Sequence, residues 1–315
     1  MYPATLPSSE QEVLTQAITW LEEGHQVELV TVAQTWGSSP RPPGSMAVVR
    51  EDGVLVGSVS GGCIEKQLSE AFRADKGSAV FTHHINDDEA RRFGLTCGGK
   101  LELLFERLDD THSLKQILSA LSDRQRIARQ VNIATSVVTV EAAAPAASFH
   151  YDGQILTRIF GPQWRLLIVG AGELSRYTAE FALALDFEVV ICEPRHEFRQ
   201  AWPLREVPVL DLSPDDAALQ FGLDQQAAVL ALTHDPNHDD LVLVEALAGN
   251  AFYIGALGSR KNNERRGKRL VAMGAEEGAI DRIVGPVGLD IGSRTSAEIA
   301  ISIVADLIRN RAAVV

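Results

Sequence analysis

The chain has 315 residues, 45% of them hydrophobic and 23% charged, which excludes a disordered or fibrous protein and is enough for two domains around sizeable cores. Its net charge of −13 argues against a nucleic-acid partner, which needs Lys and Arg to displace phosphate counterions. No apolar run reaches the roughly 20 residues of a membrane helix, and the first ten residues lack the basic and apolar parts of a secretory signal, so a cytoplasmic protein with no membrane partner is expected.

Ser9 and Glu12 have the spacing of a capping box, and Leu14, Ala17, Ile18 and Leu21 form one apolar stripe. A helix is therefore expected over 9–23, stopped by Gly24. Residues 27–36 are rich in β-branched side chains and read as a strand. Residues 46–50 and 54–59 flank an Asp52-Gly53 pair, the signature of a hairpin. A helix over 64–73 and strands over 79–85 and 101–106 complete an α+β domain at 1–110. Residues 111–160 read as a β extension and connector. They hold a short helix at 114–121, a strand at 131–140, an Ala/Pro stretch at 142–147 and a turn at Asp152-Gly153. From residue 165 short apolar strands alternate with helices. Strands are expected at 166–169, 188–192, 207–210, 228–232 and 252–254, with helices at 174–185, 239–247 and 296–308. Alternation of this kind predicts an α/β fold, a Rossmann-like doubly wound parallel sheet over 161–315.

Gly170-Ala171-Gly172-Glu173-Leu174-Ser175 follows a buried strand and opens a helix, the context of a dinucleotide fingerprint. Glu193 ends the next strand, at the spacing of a ribose-binding acid. Ser175 in place of the third glycine and a carboxylate at Glu173 equally suit a domain of this fold that no longer binds dinucleotide. In the first half, Ser60-Gly61-Gly62-Cys63 ends a strand before a helix, and Gly94-Leu95-Thr96-Cys97-Gly98-Gly99 repeats the theme inverted. Each cysteine alone reads equally well as a buried inert thiol, but two glycine-flanked thiols in one small domain point to a shared site. Their spacing, with no second ligand two to four residues away, does not suit zinc. A total of three cysteines, with Cys192, also suits a reducing compartment rather than a disulfide scaffold.

Arg41, in the Trp36–Gly44 turn region, is either an anion clamp or a solvated loop cation. His83 and His84 read as structural. In the second half, Thr233-His234-Asp235 follows a strand at the sheet edge where doubly wound folds bind ligands. Asp239 and Asp240 nearby serve a metal or, more simply, cap the following helix. Gly255-Ala256-Leu257-Gly258-Ser259-Arg260-Lys261 opens a basic helix in an acidic domain. Arg260 and Lys261 suit a phosphate there, and Arg265, Arg266, Lys268 and Arg269 read as a solvated face. Gly285-Pro286-Val287-Gly288-Leu289-Asp290-Ile291-Gly292 is a further glycine loop before the last helix.

Taken together, Gly57-Ser58-Val59-Ser60-Gly61-Gly62-Cys63-Ile64-Glu65, the Gly94–Gly99 loop, Thr233-His234-Asp235, Tyr253-Ile254-Gly255-Ala256-Leu257-Gly258-Ser259-Arg260, and Pro286–Gly292 with Glu298-Ile299-Ala300 resemble the XdhC and CoxI family. The resemblance runs from about Val27 to Arg309. It implies an accessory chaperone of molybdenum hydroxylases. Such a protein binds molybdenum cofactor, as molybdopterin or its dinucleotide form, and protects it while a cysteine desulfurase supplies the sulfido ligand. It then hands the cofactor to the apo molybdenum hydroxylase. The resemblance also makes Cys63 and Cys97 the residues at the metal, and a homodimer suits such a role. Glu173 departs from the His more usual in the family. The competing reading is an NAD(P)-dependent oxidoreductase that uses Gly170, Gly172 and Glu193, with Cys63 or His234 in catalysis.

Overall fold

The computed structural model describes residues 9–37, 41–60, 68, 77–85, 99–144 and 147–314. The chain divides into two compact units, one ending at Pro162 and the other starting at Gln163.

In the first unit, helix α1 (Ser9–Glu22) buries Val13, Leu14, Ala17 and Ile18, positions that recur on one face. Gly24, at φ +88°, ends it, and the His25 amide closes back on the Trp20 carbonyl at 2.9 Å. Strands β1 (Val27–Trp36), β2 (Met46–Arg50), β3 (Leu55–Gly57), β4 (Ser78–Ile85) and β5 (Gly99–Leu108) form an antiparallel sheet in the order β3-β2-β1-β5-β4. The expected Asp52-Gly53 hairpin pairs Val49 with Leu55. Gly57 has no substitute, because a Cβ there would lie 2.6 Å from both the Met46 carbonyl and Val13 Cγ2. The helix expected at 64–73 lies outside the described residues, apart from the buried Leu68.

Helix α2 (His112–Ser122) leads into a second antiparallel sheet, β7-β6-β9-β8. Its strands are β6 (Ile127–Asn132), β7 (Val138–Ala142), β8 (His150–Tyr151) and β9 (Ile155–Phe160). The single strand expected at 131–140 is in fact a turn between two strands. Asn132 Oδ1 accepts the Thr135 amide at 3.0 Å and Ser136 sits at φ +57°, so the chain reverses inside the apolar run. Bonds from both Arg129 Nη atoms to the Glu106 carboxylate, at 2.8 and 3.1 Å, tie the two sheets together, with both side chains buried.

The second unit is a six-stranded parallel sheet of β10 (Arg165–Val169), β11 (Glu188–Cys192), β12 (Val209–Leu210), β13 (Ala227–Ala231), β14 (Tyr253–Ala256) and β15 (Ile283–Val284). Its order is β12-β11-β10-β13-β14-β15, the doubly wound 3-2-1-4-5-6 arrangement. Strands β10 and β13 are buried throughout, as continuous apolar runs require. One face packs on α5 (Pro214–Phe221), α6 (Pro236–Ala248) and α7 (Arg260–Ala272). The other packs on α3 (Glu173–Leu183) and α8 (Ser296–Val314). A short helix, α4 (His196–Ala201), follows β11. The α/β class and the Rossmann-like second half are as expected.

Candidate functional site

The carboxyl ends of β10, β11, β13 and β14 carry the expected second-half residues to one edge of the parallel sheet, where strand order reverses between β10 and β13. Gly170 adopts φ +109°, and a Cβ there would lie 3.0 Å from Thr233 Cγ2. The glycine thus lets the turn after β10 lie against the loop after β13. Gly172 is the N-cap position of α3, and Glu173 stands in its first turn. The Glu173 carboxylate accepts a 2.8 Å bond from Ser296 Oγ, which joins the starts of α3 and α8. Thr295 and Glu298 form a capping box there. The Glu298 carboxylate takes the Arg294 and Thr295 amides at 2.7 and 3.0 Å, and these bonds hold its carboxyl below the ordinary carboxylate range.

Glu193 is fully buried. Its Oε1 accepts from the Arg195 amide at 3.0 Å and from Arg195 Nε at 2.8 Å. Its Oε2 accepts from Arg195 Nη2 at 2.8 Å and from the Ala171 amide at 3.0 Å. A carboxylate has about four acceptor positions, and all four are taken. Burial pushes the Glu193 carboxyl up, but the Arg195 and amide bonds outweigh it and hold the group below the usual range. The guanidinium of Arg195 also lies 3.9 Å over the exposed Phe198 ring. Arg195 is not among the site residues expected from the sequence. Its signal was the Glu-Pro-Arg run, since alternate residues of an extended chain face the same way.

The loop after β13 is held by Asp239, whose Oδ1 accepts from the Thr233 amide and hydroxyl at 3.1 and 2.7 Å. Asp235 is the N-cap of α6, accepting the Asn237 amide at 2.9 Å. This corrects the expectation that Asp239 or Asp240 caps the helix. Both are buried instead, because the next helix supplies their counter-ions. Arg266 Nη2 lies 3.4 Å from Asp239, and Arg269 makes bonds of 2.5 and 3.0 Å to Asp240. Burial still pushes the Asp239 carboxyl up. Arg266 is therefore buried rather than part of a solvated face, whereas Arg269 stays exposed, as expected, and pairs with Asp240. His234 is exposed at φ +64°. Among the described residues no cluster of three or more His, Cys, Asp or Glu side chains is arranged for a metal ion.

Within β14, Gly255 is walled in, since a Cβ there would lie 2.6 Å from Val287 Cγ2 and 2.7 Å from Leu230 Cδ2. Gly258 sits at φ +127°, Ser259 caps α7, and Arg260 and Lys261 stand exposed at its start. Gly288 sits at φ +91° against the α8 backbone, and Asp290 is exposed just beyond it. Beneath this loop the buried Tyr253 hydroxyl donates to Asp306 at 2.8 Å, and burial pushes the phenol up.

In the first unit Ser60 is buried, Arg41 is exposed between β1 and β2, and Gly99 begins β5. Gly61, Gly62, Cys63, Cys97 and Gly98 lie outside the described residues. Cys192 is a buried free thiol, pushed up to about 12 by desolvation, and is inert.

A 3-2-1-4-5-6 sheet with its glycine loops gathered at one edge, following an antiparallel α+β unit, defines a two-unit protein with a Rossmann-type second half. A model of the XdhC Rossmann domain matches residues 166–307, and a model of the XdhC and CoxI family matches residues 20–84. The chain belongs to the XdhC and CoxI family. It is 28% identical to the molybdenum cofactor insertion chaperone PaoD of Escherichia coli, across 96% of this chain and 89% of that protein. It is 26% identical to a probable xanthine dehydrogenase subunit of Bacillus subtilis, across 92% of this chain and 95% of that one. Among solved structures, a xanthine dehydrogenase from Bacillus halodurans superposes with a TM-score of 0.77 at 26% identity, covering 97% of this chain and 96% of that chain.

Proposed function

We propose that the chain is an accessory chaperone that binds molybdenum cofactor, protects it during sulfuration by a cysteine desulfurase, and delivers it to an apo molybdenum hydroxylase of the xanthine dehydrogenase type. A relative named for molybdenum cofactor insertion aligns with 96% of the chain, which supports this reading. The observation that carries it against the oxidoreductase reading is the saturation of Glu193. A nicotinamide dehydrogenase of this fold offers its acid to a ribose diol, and this carboxylate is buried with all four acceptor positions spent. Glu173 adds a second carboxylate in the first turn of α3, where a pyrophosphate would sit. The residues do not fit NAD(P). His234, in turn, has no carboxylate partner among the described residues to orient it as a catalytic base.

The cofactor is cargo. In the first unit we assign Cys63 and Cys97, with Ser60, Gly61, Gly62, Gly98 and Gly99, to the molybdenum end, because thiolates suit a soft metal–dithiolene centre. Arg41 is assigned to an anionic group of the pterin. In the second unit Gly258, Ser259, Arg260 and Lys261 are assigned to phosphate, at a capped helix start bearing two exposed cations. Gly170, Gly172, Gly255, Gly288, His234, Asp235 and Asp290 shape the surrounding loops.

The test is to mix the purified chain with molybdenum cofactor under anaerobic reducing conditions, desalt it, and measure molybdenum per chain. Retention in the wild type, lost in Cys63→Ala or Cys97→Ala, is the expected result. Retention equal in both variants would remove the thiols from the site, and no retention at all would overturn the reading.

A further inference from the structure

The outward face of α7 carries a row of three cations in an acidic unit, and two of them, Arg265 and Lys268, are left unexplained by the cofactor reading. Lys261, Arg265 and Lys268 are all exposed. Spacings of four and seven put them in one row along about 10 Å of helix. The opposite face of α7 buries Arg266 and Leu270. None of the three cations makes an ion pair among the described residues. In the same unit Arg165, Arg195, Arg199, Arg266, Arg269 and Arg309 all meet carboxylates. Glu264, three residues from Lys261 and four from Lys268, pairs with neither. In a chain of net charge −13, three aligned cations with no carboxylate partner among the described residues differ from those six arginines. Val271, 39% exposed and three residues beyond Lys268, continues the surface at the end of the helix.

We propose that this face of α7 docks a protein partner through a row of carboxylates, the partner being the apo-enzyme that receives the cofactor. Its identification as that enzyme rests on the chaperone reading, whereas the acidic chemistry of the partner does not. Three features favour an acidic protein surface over other anions. Cations in a row diverge, whereas a single phosphate is held by donors that converge on it. A membrane-surface helix turns its apolar face outward, and α7 turns that face inward. An exposed Val beside the charges supplies the apolar contact typical of protein interfaces. Lys261 stands where the row meets the Gly258 loop, so the variants below leave it in place.

The experiment compares the full-length chain with Arg265→Glu/Lys268→Glu for binding to the purified apo-enzyme by surface plasmon resonance, at about 50 and about 300 mM salt. Retained molybdenum is measured on the same samples. Charge reversal is expected to weaken binding at least about tenfold at low salt, chiefly through the association rate, and to leave molybdenum per chain unchanged. Arg265→Lys/Lys268→Arg is expected to bind as the wild type does. Unchanged affinity after reversal overturns the proposal, as does a wild type that fails to bind. Loss of molybdenum in place of enzyme binding would make the row a ligand contact and also overturn it, as would binding to anionic vesicles that reversal abolishes. A wild type that binds the enzyme but holds no molybdenum, with binding lost on reversal, would uphold the docking face and remove the chaperone reading.

Discussion

At the scale of single residues, Glu193 and Arg195 decide what the Rossmann edge can accept. Two bonds to each carboxylate oxygen leave nothing for a ribose diol, and they also satisfy a charge that has no exposure to water. Arg195→Ala removes the two guanidinium bonds from a buried anion and is expected to cost about 3 kcal/mol in chemical denaturation. The pH dependence follows from the direction of the Glu193 shift. A carboxyl held low in the folded state stabilises fully above the ordinary carboxylate range and loses that contribution as pH falls through its folded value. The gap between wild type and variant should thus be widest near neutrality and close in acid. A gap that widens on acidification would show that the pair is not the source of the difference. The acid was legible in the sequence from its spacing after Gly170, but its partner was not. A fingerprint says where an acid stands and nothing about whether a neighbour has already claimed it.

Between elements, charge is again what joins them. Arg129 on β6 and Glu106 on β5 are both buried and make the one bidentate contact described between the two antiparallel sheets. Arg129→Ala leaves Glu106 buried and unpaired, at an expected cost of about 3–5 kcal/mol. The double variant Arg129→Met/Glu106→Gln, which removes both charges, should recover most of that in urea denaturation. Equal losses in single and double variants would mean that packing, not the ion pair, carries the contact. Elements built on long periodic patterns were legible, and β1 and β11 have the limits that their sequence predicts. Reversals inside an apolar run were less so. Residues 131–140 look continuous because the side-chain bond from Asn132 and the left-handed Ser136 leave only a faint trace in composition. Helix α5 had its signals in Pro214, Asp215 and Asp216, but eight residues are too few for periodicity to stand out. Long-range partners such as Arg266 with Asp239 are invisible to local pattern, which is why a buried ion pair reads as a solvated face.

For the molecule as a whole, the parallel sheet gathers loops that are far apart in sequence, from Gly170 to Asp290, at one edge. The order of those loops was legible from alternating strands and helices, because short apolar strands joined by helices admit few arrangements. Their contacts were not, since Gly170 meets Thr233 and Glu173 meets Ser296 only once the sheet has formed. No described helix is long and apolar enough to cross a membrane. Transfer of molybdenum cofactor from this chain to another protein tests the proposed function most directly. The chain is loaded anaerobically, freed of excess cofactor and mixed with an apo-enzyme of the xanthine dehydrogenase type, and molybdenum is then followed in each protein after separation. Molybdenum is expected to leave this chain and to appear in the enzyme faster than from the same amount of free cofactor. Molybdenum that never binds the chain, or that reaches the enzyme no faster than free cofactor does, would contradict it.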